Sequence, residues 1–229
     1  MRSQQDIARI KSRIEDPYSV ENFISAEQIE YLINLFDTQG NKLHKNTGPI
    51  TQDLDFADPV IASIINKLKE LLGPFEVTAG FFFSTDYPHI IHNDDTFKLP
   101  DVYKGVTIPL KIYGANRVPD LCFFDQFYFH GPAKFFNGDE RVPTYYNTQI
   151  YDYKDVDGLS DAMMDESTRV TYLTHLKPEW LKGLTLWGTL KWKPTSALIF
   201  DSVRLHCASD FRQQGIKSKL GISIFTKVS

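Results

Sequence analysis

Cysteine is scarce, with two in 229 residues, Cys122 and Cys207. That excludes a disulfide-stapled scaffold, and Cys207, inside an apolar run, reads as a free core thiol. No apolar stretch reaches the ~20 residues that cross a bilayer. The opening Met1-Arg2-Ser3-Gln4-Gln5-Asp6 lacks the hydrophobic segment of a signal peptide. A cytoplasmic protein without membrane association is therefore expected. Positive charge is not in excess either. Twenty-five Lys and Arg against 29 Asp and Glu leave a net charge of −4, so no nucleic-acid partner is indicated. What the chain does have is 42% hydrophobic and 14% aromatic residues. That is enough to pack a core, and the length suits one domain.

Residues 1–74 read as helical support. Ser25-Ala26-Glu27-Gln28 is a capping box, with Ile24 and Ile29 placed as its hydrophobic staple. Ile29, Leu32, Ile33 and Phe36 follow on one helix face. Asp58-Pro59 opens a second helix that stops at Gly73-Pro74 and turns Ile61, Ile64, Ile65, Leu68 and Leu72 inward. A shorter helix is expected within 3–15. From Phe75 the texture changes to short β-rich runs broken by Pro, Gly, Asn and Asp. Strands are expected near 75–84, 88–92, 105–113, 121–129, 133–136, 169–174, 184–192, 196–201, 204–208 and 217–227. Such short strands, without intervening helical patterns, indicate a sandwich or jelly roll. The expected fold is mainly β with N-terminal helices, one domain over 1–229. Its β core, 75–229, is interrupted by an acidic, tyrosine-rich insertion at 137–168, a candidate lid.

The chemistry-bearing residues are His92-Asn93-Asp94 and, more than a hundred residues later, His206 in Arg204-Leu205-His206. Residues two apart on an extended segment project to the same side, so His92 and Asp94 can converge on one ion. Two histidines and one carboxylate occupy one face of an octahedral metal and leave the opposite face open. Alone, Asn93-Asp94-Asp95 is also good turn chemistry, and His206 a core histidine with one hydrogen bond. A His89-x-x-His92 zinc pair would need a helix, which Tyr87-Pro88 opposes. His130 and His175 have no recognisable partners. Phe81, Phe82, Phe83 and Tyr87 read mostly as core. Arg204 shares parity with His206 and can pair with a substrate anion, although an ion pair with Asp201 or another carboxylate is the simpler role.

The order and spacing of His92-Asn93-Asp94, Val106-Thr107-Ile108-Pro109-Leu110, the Trp192–Phe200 run, Arg204-Leu205-His206 and Lys219-Leu220-Gly221-Ile222-Ser223 resemble the 2-oxoglutarate/Fe(II)-dependent dioxygenases, in particular their small stand-alone members. The resemblance spans about residues 75–226. It implies a double-stranded β-helix in which His92, Asp94 and His206 bind Fe(II), with O₂ and 2-oxoglutarate as cosubstrates. The keto acid would chelate the metal through its C1 carboxylate and C2 keto oxygen. Its C5 carboxylate would meet a cation on the strand after the distal histidine. Lys219, with Ser223 four residues on and facing the same side, fits that role, while Lys217 shares its parity and Lys111 offers a cation from the opposite wall. The Arg-x-Ser of many relatives is missing. The implied activity is hydroxylation of a small-molecule or peptide substrate with release of succinate and CO₂. Two other readings stand beside it, a cupin-like metal enzyme that does not use 2-oxoglutarate and a non-catalytic jelly-roll module.

Overall fold

The structure, a computed structural model, describes residues 2–38, 50–95, 98–133 and 155–229. Its helices form where capping chemistry places them. In α1 (Gln4–Lys11), Ser3 and Asp6 close a reciprocal capping box. In α2 (Ala26–Thr38), Gln28 N–H donates to Ser25 Oγ at 3.2 Å and Ser25 N–H to Gln28 Oε1 at 3.0 Å. In α3 (Pro59–Leu72), Asp58 accepts from the amides of Val60 and Ile61, and Gly73, at φ 78°, ends the helix. The left-handed φ there suits glycine, which has no Cβ to clash.

The first third is not wholly helical. Two short strands missed in the sequence, β1 (Tyr18–Val20) and β2 (Ile50–Asp53), form the edges of the larger sheet. At three and four residues they are too short for periodicity to register. The remaining strands are β3 (Phe75–Thr85), β4 (Val102–Tyr113), β5 (Asp120–Phe127), β6 (Leu186–Lys191), β7 (Ala197–Asp201), β8 (Arg204–Ala208) and β9 (Ser218–Val228). Among the described residues they make a six-stranded sheet, β1-β7-β4-β9-β3-β2, and a three-stranded sheet, β6-β5-β8, with every pairing antiparallel.

Other sequence expectations need correction. Residues 88–92 make no strand, although His92 forms an isolated bridge to His206. The strand expected at 169–174 is largely a helix, α4 (Glu166–Tyr172). The β-branched Thr168, Val170 and Thr171 mimic a strand, but Asp165 accepts from Thr168 N–H and caps a helical turn. That helix also cuts into the expected 137–168 insertion. The rest of the insertion up to residue 154, and 134–136 of the expected strand 133–136, lie outside the described residues.

Alternation along β9 separates two cores. Leu220, Ile222 and Ile224 join Val106, Ile108, Leu110 and Ile199 beneath Leu32, Ile61, Ile64 and Leu68 of the helices. Lys219, Gly221 and Ser223 face the other way, towards the smaller sheet. There Phe123, Trp192, Leu198 and Phe200 fill the space between the sheets. A Cβ on Gly221 would stand 2.8 Å from Trp192, so the indole occupies the room that a side chain would need. The outer face of the small sheet, including Cys122, Phe124, Leu205 and Cys207, packs on Leu173, Leu176, Trp180 and Leu184. Both cysteines are buried and free.

Candidate metal centre

His92 and His206 are brought together by the backbone itself. Each donates its amide N–H to the other's carbonyl at 2.9 Å, an antiparallel bridge that lays the His92 segment along β8. Asp94 N–H donates to Ser202 O at 2.8 Å, so the carboxylate hangs from the turn between β7 and β8. The result is compact. One ligand atom from each of His92, Asp94 and His206 lies within 4.8 Å of the others. His92 Nε2 is 3.6 Å from Asp94 Oδ1, and His206 Nε2 is 3.7 Å from Asp94 Oδ2. No other such group of three occurs among the described residues.

The orientation of both rings is fixed from behind. His92 Nδ1 lies 2.7 Å from Ile90 O and His206 Nδ1 3.0 Å from Arg204 O. A carbonyl only accepts, so each Nδ1 donates its proton rearward and each Nε2 is turned towards Asp94. This arrangement behind a histidine orients and strengthens a metal ligand. His206 is further wedged by Phe200 and Phe123, with ring centroids 4.5 and 5.9 Å away. Two imidazoles and a carboxylate clustered on one side of a metal position are a donor set that suits Fe(II).

Three supporting residues were missed in the sequence. Asn93, 2% exposed, donates to Tyr128 O and Gly131 O at 3.1 Å and accepts from Ala133 N–H at 2.8 Å. Its carboxamide thus anchors the His-x-Asp segment to the chain leaving β5. Asp95, wholly buried, forms a two-pronged ion pair with Arg2 at 2.5 and 2.7 Å. Arg2 also donates to the carbonyls of Leu99 and Phe129. No sequence signal joins residue 2 to residue 95. Gly105 had a signal, an isolated glycine in a strand, which marks close approach of a neighbour. A Cβ there would stand 3.0 Å from Asp94 Oδ2 and 2.8 Å from the Phe200 ring.

The candidate cosubstrate cations part company. Lys219, 4% exposed, lies with its Nζ 4.8 Å from the Trp192 ring centre and 5.3 Å from that of Phe211. Among the described residues no carboxylate stands within ion-pair distance of it, and burial pushes the ammonium down to about 8. Lys217 is exposed just before β9. Lys111 is exposed too, its Nζ over Tyr113. Register explains this last departure. A bulge between Pro109 and Lys111 sets Lys111 opposite Leu220 and Ile112 opposite Lys219. A one-residue slip sends a side chain to the other face, so Lys111 is not the facing-wall cation. Ser223 shares the face of Lys219, but four strand residues separate them by roughly 13 Å, so it is no second partner for one carboxylate. It pairs with Thr107 and stands between Lys219 and the level of Gly105 and Asp94. Of the carboxylates expected to pair with Arg204, Asp201 is taken and another, Asp16, stands in its place. Asp201 binds Lys104 at 2.8 Å, and Arg204 approaches Asp16 at 3.7 Å.

No protein-family model matches the sequence, and no curated protein is detectably similar to it. Solved structures are. The α-ketoglutarate-dependent carbocyclase SnoK of nogalamycin biosynthesis superposes with a TM-score of 0.55 at 9% identity, over 99% of this chain and 84% of that one. The epimerase SnoN of the same biosynthesis, in a complex with Fe³⁺, α-ketoglutarate and nogalamycin RO, gives 0.52 at 12% identity over 99% and 85%. EctD from S. alaskensis gives 0.52 at 14% identity over 100% and 77%. The chain shares its fold with these structures along nearly its whole length.

Proposed function

We propose that the protein is an Fe(II)- and 2-oxoglutarate-dependent oxygenase, a single domain built on a double-stranded β-helix. One juxtaposition carries this reading: the three-ligand cluster of His92, Asp94 and His206, and between the sheets a buried ammonium that no carboxylate among the described residues reaches. His92, Asp94 and His206 would hold Fe(II) through Nε2, a carboxylate oxygen and Nε2. Bound there, Fe(II) would supply the redox chemistry that couples O₂ and decarboxylation of 2-oxoglutarate, to succinate and CO₂, with oxidation of a substrate. The chain's own part is orientation. Asn93 and the His92–His206 bridge fix the ligands, and Lys219 offers the C5 carboxylate a cation in a site where an unpaired charge is costly. Trp192, Phe200 and Phe123 keep water from the space between the sheets.

SnoK and SnoN belong by their descriptions to nogalamycin biosynthesis, and SnoN is in a complex with nogalamycin RO, which supports a small-molecule substrate here. Hydroxylation is the simplest outcome for such a site. No described helix is long and apolar enough to cross a membrane, and two free thiols fit a reducing, cytoplasmic setting. The test uses Mn(II) in place of iron. 2-Oxoglutarate should raise the melting temperature of the Mn(II)-loaded protein, and glutarate, which lacks the keto group, should do so far less. With Fe(II) and ascorbate the protein should release succinate. No response to 2-oxoglutarate, with Mn(II) bound, would turn the reading to a metal enzyme of another kind.

A further inference from the structure

Among the described residues, Lys219, Lys104 and Arg204 are buried cations on strands near the metal centre; Lys219 has been described and Lys104 is held by Asp201 and Glu15, which leaves Arg204. The registers of β5 and β8 place it. Cys122 pairs with Cys207, Phe123 with His206 and Phe127 with Arg204. Lys219 lies near the Cys122 and Cys207 end, so His206 stands between it and Arg204 along the strands. Arg204 and His206 are two residues apart on β8, on the same face, roughly 7 Å along the strand.

The Arg204 side chain is 4% exposed. Nη1 donates to Phe124 O at 2.9 Å. The guanidinium carbon lies 4.5 Å from the Phe127 ring centre and 5.7 Å from that of Trp187, which is itself 36% exposed. The Nε–Nη2 edge, whose two parallel N–H groups match a carboxylate, is barely engaged. Among the described residues Nε has no hydrogen-bond partner, and Nη2 meets Asp16 Oδ1 at 3.7 Å, beyond hydrogen-bond reach. Asp16 is 74% exposed. Asp201, nearer in sequence, is taken by Lys104 and by Glu15 N–H. Asp125 on β5 is exposed. A buried donor left without an acceptor is costly, and an Arg fork held between aromatic faces is built for a planar anion.

We propose that Arg204 binds the carboxylate of the primary substrate, which is a small organic acid whose carbon skeleton lies along the exposed part of Trp187. This rests on the oxygenase reading above. A carboxylate is favoured over a phosphate because one fork suffices for it, whereas Asp16, Asp125 and Asp201 all surround Arg204 with negative charge that would oppose a dianion.

The test uses matched probes on the protein loaded with Mn(II) and 2-oxoglutarate, without O₂. 3-Phenylpropionate, hexanoate and N-acetyl-L-leucine are each compared with their amides, and phenyl phosphate serves as the phosphate probe. Ligand-observed NMR titration reads the affinities. At least one acid should bind, its amide roughly 10- to 100-fold more weakly, the loss of a charge-assisted pair. Arg204→Gln should bring the acid down to the level of the amide while the stabilisation by 2-oxoglutarate persists. Arg204→Lys, which keeps the charge but not the fork, should fall between and covers the case where the glutamine variant does not fold. Asp16→Asn should tighten the acid several-fold by removing a competitor. If Arg204 were merely a partner of Asp16, that variant would bind acids no better. Equal binding of acids and amides, acid binding unaltered in both Arg204 variants, preference for phenyl phosphate, or no acid bound at about 10 mM would each overturn the proposal. Lack of a 2-oxoglutarate response in the wild type would instead overturn the oxygenase reading, and the acid–amide comparison with Mn(II) alone would still judge Arg204.

Discussion

Replacing Lys219 by methionine should stabilise the metal-free protein and abolish its response to 2-oxoglutarate. Burial holds the ammonium at about 8, against 10.5 for an ordinary lysine. At 1.36 kcal/mol per pH unit, that gap means the charged side chain costs the folded state about 3 kcal/mol at neutral pH. Methionine matches the stem in length and leaves no large cavity, while its sulfur partly replaces the contact of the ammonium with Trp192 and Phe211. A net gain of roughly 1–3 kcal/mol follows, or about 2–12 °C in melting temperature for a domain of this size. The pH dependence gives a second check. The folded-state value lies below the unfolded one, so between about 8 and 10.5 the unfolded chain holds more protons and wild-type stability rises with pH. Below 8 the penalty is present in full. Lys219→Met should lack that alkaline rise. Calorimetric melting of both proteins at pH 7 and 10, and thermal shifts with Mn(II) and 2-oxoglutarate at pH 7, read all of this. A variant that melts below the wild type at pH 7, or that 2-oxoglutarate still stabilises, would refute the reasoning.

Three further outcomes are expected. His92→Ala, Asp94→Ala and His206→Ala should each remove saturable Mn(II) binding in calorimetry while circular dichroism stays unchanged, because backbone amides make the His92–His206 bridge; retained affinity in all three would dismiss the triad. Gly105→Ala places a Cβ 3.0 Å from Asp94 Oδ2 and 2.8 Å from Phe200. It should weaken Mn(II) binding about tenfold and cost about 1–3 kcal/mol of stability, the usual cost of overpacking. Arg2→Ala leaves Asp95 buried without its partner. It should cost about 3–5 kcal/mol in urea unfolding, and a loss below about 1 kcal/mol would mean that the chain carries no charge on Asp95.

Local rules made the helices and the triad legible. Ser25 and Asp58 cap the helices they announce, and His92, Asp94 and His206 converge as their spacing and the family resemblance imply. What escaped was whatever depends on register or on distant pairing. The bulge after Pro109 turns Lys111 outward, and nothing short of the ladder reveals it. Arg2 meets Asp95 across 93 residues, an encounter that composition cannot foreshadow. The helix at Glu166–Tyr172 was hidden by β-branched residues, whose preference the Asp165 cap overrides.

The bridge between His92 and His206 has a bearing on which metal the proposed site would take up in a cell. Where a small domain folds around its ion, the ion helps choose its own site, as in zinc fingers. Here the amides of the ligands set the spacing first, and any divalent ion of fitting radius finds the same two imidazoles and carboxylate waiting. Such a site ranks first-row metals by intrinsic affinity, with copper, nickel and zinc ahead of ferrous iron. Discrimination therefore falls to the supply of free ions around the chain. Mismetallation, rather than unfolding, is the mode of failure that this backbone invites.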